Sequence, residues 1–203
     1  MQGARAIGAG LAVALWVLTS AVAARADADF MTTGLSTTVP IGHHLFCLEH
    51  QEDCTRTPGL AAGPLKLDTA LITKVAAINT ATNAAIEPVS DFIQYGVEER
   101  WTYPGKRGDC EDFVLLKRRE LHAVGIPLED LLITVVRKTN GEGHAVLTLH
   151  TTAGDFVLDN LDWRVKPWRE TPYTYVKRQS ALDPKDWLSI TDAVDVATSA
   201  VGK

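Results

Sequence analysis

The chain of 203 residues is the size of one domain or two small ones, and it is long enough to bury a core. Apolar residues make up 46% and charged residues 22%, a balance that excludes disordered, collagen-like and coiled-coil chains. The formal net charge of -5 and the lack of a basic block argue against nucleic acid as a partner. Three cysteines are too few for a disulfide-dense scaffold.

Residues 1–26 have the composition of a secretory signal peptide. They contain no acidic residue, carry Arg5 near the start, continue as an apolar run and end in an A-x-A pattern. We expect cleavage after position 26 or 28, followed by export of a single domain over residues 27–203. An uncleaved membrane anchor is the alternative, because the apolar run is nearly long enough to span a bilayer.

Export affects the interpretation of the cysteines, because exported proteins fold in an oxidising compartment. Cys47 and Cys54 stand close together in the sequence, whereas Cys110 stands alone. We predict a Cys47–Cys54 disulfide that clips a local loop, and a free thiol at Cys110. A metal site is the rival interpretation, although the spacing matches no familiar zinc motif. It would combine the two cysteines with some of His43, His44 and His50.

Helices are predicted first along the chain. Residues 27–63 are rich in Thr, Gly and Pro and predict loops with short strands. Apolar residues recur at spacings of three and four over residues 65–86, which predicts a helix capped by Asp68. Residues 91–101 are compatible with helix or strand. A second clear helix is predicted over residues 110–123.

The second half of the chain predicts an antiparallel sheet. β-branched and apolar segments separated by Gly-containing turns predict strands over residues 131–138, 145–150 and 156–159. A further strand is predicted near 175–178, and a short terminal helix over 192–200. Helices followed by strands predict an α+β fold, with the N-terminal helices packed on the sheet.

Cys110 is the first residue of the second predicted helix. A helix N-terminus carries partial positive charge and free N–H groups, which favour a thiolate. On a helical wheel Phe113, Val114 and Leu121 share the side of Cys110, so the thiol is expected to face the sheet. Lys117 interrupts that side. Cys110 is therefore a candidate nucleophile, and a small buried apolar residue is the simpler alternative.

A base and an orienting acid are available in the predicted sheet. His144 opens the second strand and Asp159 ends the third, and adjacent antiparallel strands can place the two side by side. A thiol nucleophile needs a neighbouring base, and that base needs an acceptor on its other nitrogen. Cys110, His144 and Asp159 therefore predict the triad of a cysteine hydrolase, although each also has a structural explanation on its own.

Several motifs resemble the bacterial transglutaminase-like cysteine peptidases, the relatives of LapG-type periplasmic proteases. The resemblance covers residues 42–179, and its motifs are WTYP at 101–104, RGDCED at 107–112, GIP at 125–127, GHAVL at 143–147 and LDN at 158–160. It implies a papain-like, transglutaminase-type core in a periplasmic protein. It also implies Cys110 as the nucleophile, His144 as the base and Asp159 as the orienting acid.

The resemblance implies calcium as a cofactor. Asp109, Glu111 and Asp112 flank the thiol, where negative charge opposes thiolate formation unless solvent or a cation screens it. LapG-type relatives are calcium-dependent and similar at these positions, which implies Asp109 and Glu111 as ligands, with Asp112 as a further one. Helical geometry points Glu111 away from the other two. Helix capping by Asp109, with favourable acids in the first turn, is the alternative.

The activity implied by the resemblance is that of an endopeptidase that forms a thioester and cleaves a protein substrate. In the LapG-type system the substrate is a surface adhesin of biofilms, and a membrane receptor that senses cyclic-di-GMP restrains the protease. Transfer of the thioester to an amine would instead give transglutaminase or acyltransferase activity. A calcium-binding or protein-binding module without catalysis is the third hypothesis. No role is predicted for the chain beyond Leu182.

Overall fold

The computed structural model describes residues 29–56 and 63–191, so the predicted signal peptide and terminal helix lie outside the described residues. The first half contains β1 (Thr33–Ser36), α1 (Ile41–Glu49), α2 (Thr69–Ala85), β2 (Glu87–Pro88), α3 (Asp91–Tyr95), β3 (Arg107–Gly108) and α4 (Cys110–Ala123). The second half contains β4 (Leu131–Arg137), β5 (Gly143–Thr151), β6 (Gly154–Leu158), β7 (Lys166–Pro167), β8 (Thr174–Gln179) and β9 (Trp187–Ile190).

Seven of these strands form one antiparallel sheet, in the order β1-β9-β8-β4-β5-β6-β7. The predicted central hairpin is present, with Leu131 opposite Leu149 at one end of β4 and Arg137 opposite Gly143 at the other. Strands β2 and β3 form a separate parallel pair. The combination of helices and antiparallel sheet confirms the predicted α+β class.

The sheet buries apolar side chains on both faces, because successive strand residues point in opposite directions. On the helical side Leu147 of β5 packs with Val114 and Leu121 of α4. On the other side the neighbouring Val146 packs with Trp168 and Tyr175. Helix α4 therefore lies against one face of the central strands, and its first residue lies close to the start of β5.

Three predictions need correction. Residues 27–63 contain helix α1 as well as the short strand β1, and the helical period is hidden because most apolar side chains of α1 are exposed. Helix α2 begins later than predicted, because Asp68 accepts a hydrogen bond from the Leu71 N–H at 2.8 Å and caps it there. The segment after Leu182 supplies strand β9, which pairs with both β1 and β8.

Cys47 and Cys54 form a disulfide, as predicted. The bridge ties α1 to the 3-10 turn Gln51–Cys54. Because the two sulfurs are bonded to each other, the rival metal site is not supported. The His43 Nε2 atom lies 3.5 Å from Cys47 Sγ in the same buried cluster. Within residues 29–56 and 63–191, no helix combines the length and apolar character needed to cross a bilayer.

Reduction of the Cys47–Cys54 bridge should lower the free energy of unfolding by about 2–3 kcal/mol, because a short closed loop removes a modest amount of entropy from the unfolded chain. Urea unfolding with and without a reducing agent measures this change. A double variant, Cys47→Ala with Cys54→Ala, should show no response to the reducing agent. A response of the double variant as large as that of the wild type would contradict the assignment.

Candidate active site

Cys110 begins helix α4, as predicted, and its half-buried side chain packs against the apolar core. The backbone N–H of Ala145, on β5, donates a hydrogen bond to the Cys110 thiol. Ala145 directly follows His144 in that strand. The packing of α4 on β5 therefore brings the predicted nucleophile beside the strand that carries the predicted base.

His144 and Asp159 form a buried pair. The Nε2 atom of His144 lies 2.9 Å from Oδ1 of Asp159, and the two side chains are only 3% and 5% exposed. The pairing of β5 with β6 creates this contact, because Leu147 lies opposite Leu158 and Asp159 follows directly. The contact uses Nε2 and leaves Nδ1 of His144 for another partner.

Asp159 is surrounded by donors. The Leu161 N–H donates to Oδ1 at 3.0 Å, and the Tyr173 hydroxyl donates to Oδ2. Burial alone would raise the pKa of Asp159, but the hydrogen bonds from His144, Leu161 and Tyr173 outweigh it and hold the pKa below its ordinary value. Sequence analysis did not identify Tyr173, and nothing in its local sequence indicates this contact.

The electrostatic surroundings of Cys110 oppose ionisation of the thiol. Burial raises the pKa of Cys110 well above its ordinary value, and the nearby Glu111 carboxylate raises it further. The Cys110 thiol donates to Glu111 Oε2 at 3.0 Å. Burial and the charge of Asp109 in turn raise the pKa of Glu111 to about 8. Burial and the neighbouring acids together outweigh the expected effect of the helix N-terminus on the pKa of Cys110.

Three carboxylates meet beside the start of α4. One oxygen from each of Asp91, Asp109 and Asp112 lies within 4.8 Å of the others. Two of these were predicted as ligands. Asp91 opens helix α3 and was not predicted, because nothing in the sequence shows that α3 folds back onto α4. Glu111 is not a member of this cluster.

The cluster is buried and incompletely bonded. Asp112 is 0% exposed and accepts the Thr102 N–H through Oδ1 at 2.9 Å. Among the described residues, Oδ2 of Asp112 and Oδ1 of Asp109 have no hydrogen-bond partner. A Cβ atom at Gly108 would lie 2.6 Å from Asp112 Oδ2, so glycine permits this close approach.

Asp109 makes no side-chain capping bond to α4, which counts against the capping alternative. Oxygen donors without partners suit a hard cation.

Burial, together with the charges of Asp109 and Asp91, raises the pKa of Asp112 to about 7. The folded protein therefore holds this proton more tightly than the unfolded chain, so the contribution to stability is present at low pH and is lost as the pH rises through about 7. In the presence of a chelator, the melting temperature of the wild type should fall between about pH 5 and about pH 8.

The variant Asp112→Asn removes this titrating group, so its melting temperature should fall less over the same pH range. Asp186 is exposed, so Asp186→Asn is the matched control. Its melting temperature should fall with pH as much as that of the wild type does. Equal slopes in Asp112→Asn and the wild type would contradict a buried, protonated Asp112.

Comparisons with known proteins identify a family and similar solved structures. The family model for bacterial transglutaminase-like cysteine proteinases matches residues 33–195. The calcium-bound LapG of Legionella pneumophila is 26% identical, with a TM-score of 0.50, over 60% of this chain and 72% of that chain. A second LapG structure from this organism is 26% identical, with a TM-score of 0.51, over 63% of this chain and 74% of that chain. A search of curated proteins finds no match. The chain thus belongs to the bacterial transglutaminase-like cysteine proteinases and is a cysteine peptidase.

Proposed function

We propose that this cysteine peptidase is an exported, periplasmic endopeptidase in which Cys110 is the nucleophile, His144 the base and Asp159 the orienting acid. The observation that carries the proposal is the buried His144–Asp159 pair at the start of β5, where the next residue, Ala145, binds the thiol. The three side chains come from separate parts of the chain: Cys110 begins α4, His144 lies in β5 and Asp159 directly follows β6.

In the proposed reaction the three residues act in turn. Nδ1 of His144 takes the thiol proton, and Cys110 Sγ attacks the carbonyl carbon of a peptide bond. The amides of the first turn of α4 stabilise the developing oxyanion. The carbon–nitrogen bond then breaks, and the leaving amine takes the proton from His144. Water hydrolyses the thioester and regenerates the thiol. Asp159 holds the imidazole through Nε2 throughout, and stabilises the imidazolium when it forms.

The proposal includes calcium held by Asp91, Asp109 and Asp112. The support is the buried cluster of carboxylate oxygens without partners and the similarity to a calcium-bound LapG. Calcium bound there would supply positive charge among the acids that flank the thiol. Glu111, which the family resemblance implies as a ligand, lies outside this group of three carboxylates. Its carboxyl group accepts from Cys110 Sγ at 3.0 Å and also interacts with Asp109.

The proposed substrate is a protein, and a surface adhesin is the specific candidate, with a cyclic-di-GMP-sensing membrane receptor as the proposed regulator. Both come from the family resemblance. Acyl transfer is the second outcome of the same thioester, and it requires an amine to compete with water at the carbonyl carbon. An amine probe such as dansylcadaverine, added to the protease assay, distinguishes transfer from hydrolysis.

The variant Cys110→Ala should reduce cleavage of protein substrates by at least about a thousandfold, because no other group in the site can form the thioester. New N-termini in a bacterial surface and periplasmic protein extract, identified by mass spectrometry, measure this loss. His144→Ala should behave similarly, whereas the exposed His44→Ala, the matched control, should cleave as the wild type does.

The same new N-termini appearing with wild type and Cys110→Ala would contradict a Cys110 protease. No cleavage by the wild type, even with calcium present, would favour the non-catalytic binding module instead.

The variants Asp91→Asn and Asp112→Asn should each weaken calcium binding by about tenfold or more, because affinity for this ion depends on the number of charged ligands. Isothermal titration calorimetry with calcium chloride measures the change, and Asp186→Asn serves as the control. A calcium affinity of Asp91→Asn equal to that of the wild type would place the ion elsewhere. Loss of calcium affinity in Glu111→Gln alone would support the ligand set implied by the resemblance.

A further inference from the structure

Tyr173 contacts both members of the buried histidine–aspartate pair. Its hydroxyl donates to Oδ2 of Asp159, while Oδ1 of the same carboxylate binds His144 Nε2 at 2.9 Å. The Tyr173 ring also lies against the imidazole, with the ring centroids 5.4 Å apart and the planes inclined at 57°. Tyr173 directly precedes β8, so a loop from a third part of the sheet closes over the pair.

We infer that Tyr173 is a positioning residue for the proposed reaction: its hydroxyl fixes the Asp159 carboxylate toward His144, and its ring restricts rotation of the imidazole. The catalytic consequence of this role rests on the proposed function, whereas the contacts of Tyr173 with Asp159 and His144 do not. Without the hydroxyl, Oδ2 of Asp159 would lose its donor, and the carboxylate would be free to rotate away from His144 Nε2.

The rest of the Asp159 side chain is held by groups that cannot replace this donor. The Leu161 N–H binds Oδ1, the oxygen that already faces His144. The Asn83 side-chain amide binds the backbone carbonyl of Asp159 at 2.8 Å, so it positions the chain and not the carboxylate. Among the hydrogen bonds of the described residues, Tyr173 is therefore the one side-chain donor to Oδ2.

Charged or titratable groups from α4, β5 and β8 interact with Asp159. Lys117 approaches from α4, fully buried, and its Nζ atom has no hydrogen-bond partner among the described residues. Tyr175 approaches from β8, and His144 from β5. Lys117 stabilises the carboxylate charge at a distance but does not orient it, whereas the Tyr173 hydroxyl acts on one oxygen. Removal of the hydroxyl should therefore loosen the hydrogen bond between Asp159 and His144 and lower the proton affinity of the imidazole.

The variant Tyr173→Phe keeps the ring against His144 and removes only the hydroxyl. We expect the pKa of His144, followed by NMR without substrate, to fall by about one unit, because the Asp159 carboxylate that stabilises the imidazolium is no longer held toward Nε2. For a peptide that spans a bond cleaved by the wild type, kcat should fall about tenfold with KM unchanged. The His144→Ala variant identifies the His144 signals.

Tyr175→Phe is the matched control, because the Tyr175 hydroxyl bonds with Thr171 and with the Trp168 carbonyl, and not with Asp159. It should leave the pKa of His144 and kcat at their wild-type values. An unchanged pKa of His144 in Tyr173→Phe, or an equal shift in Tyr175→Phe, would overturn the inference.

The NMR measurement also separates this inference from the proposed function. A shifted pKa of His144 in a protein that cleaves nothing would retain the positioning role and reject the protease. If Tyr173→Phe does not fold, the wild type still provides a test, because the arrangement requires the neutral imidazole to carry its proton on Nε2. A wild-type imidazole protonated on Nδ1 would overturn the inference.

Discussion

The packing of the first turn of α4 onto strand β5 is the constraint on which the site depends. It brings the Cys110 thiol to the Ala145 amide and so to the start of the strand that carries His144. Acidic side chains directly follow Cys110 in the sequence. Asp112 is fully buried, and the free-energy cost of burying its charged form raises the pKa of its carboxyl group. A site that needs a thiolate thus lies beside carboxyl groups that need a counter-charge.

Distant segments hold that contact in place. The buried Arg118 of α4 donates to the Asp53 carbonyl at 2.7 Å and to the Leu131 carbonyl at 2.8 Å, so it links the disulfide loop to β4. The Tyr103 hydroxyl donates to the Asp53 side chain at 2.7 Å. The disulfide therefore stabilises a loop that supports the segment leading into the site. Helix α3 contributes Asp91 to the carboxylate cluster beside the start of α4.

Much of the fold follows from local sequence. Helix α4 has the predicted bounds because a polar loop precedes it and a glycine follows, and the central hairpin follows from β-branched runs around a tight turn. His144 and Asp159 meet as predicted, because β5 pairs with β6 in a register that sets Leu147 opposite Leu158. Long-range partners were not predictable. Asp91 and Tyr173 lie far from Cys110 in sequence, and no periodicity indicates which loop will close over a site. Lys117 interrupts an apolar face, and its burial beside Asp159 depends on tertiary packing.

The central claim is that His144 activates Cys110, and the pH dependence of Cys110 alkylation tests it most directly. The calcium-loaded wild type is labelled with iodoacetamide across a pH series, beside His144→Ala and the exposed control His44→Ala. The account predicts labelling of the wild type and of His44→Ala at a pH below about 8.5, the ordinary thiol value, and loss of that labelling in His144→Ala. Identical labelling profiles in wild type and His144→Ala would contradict it.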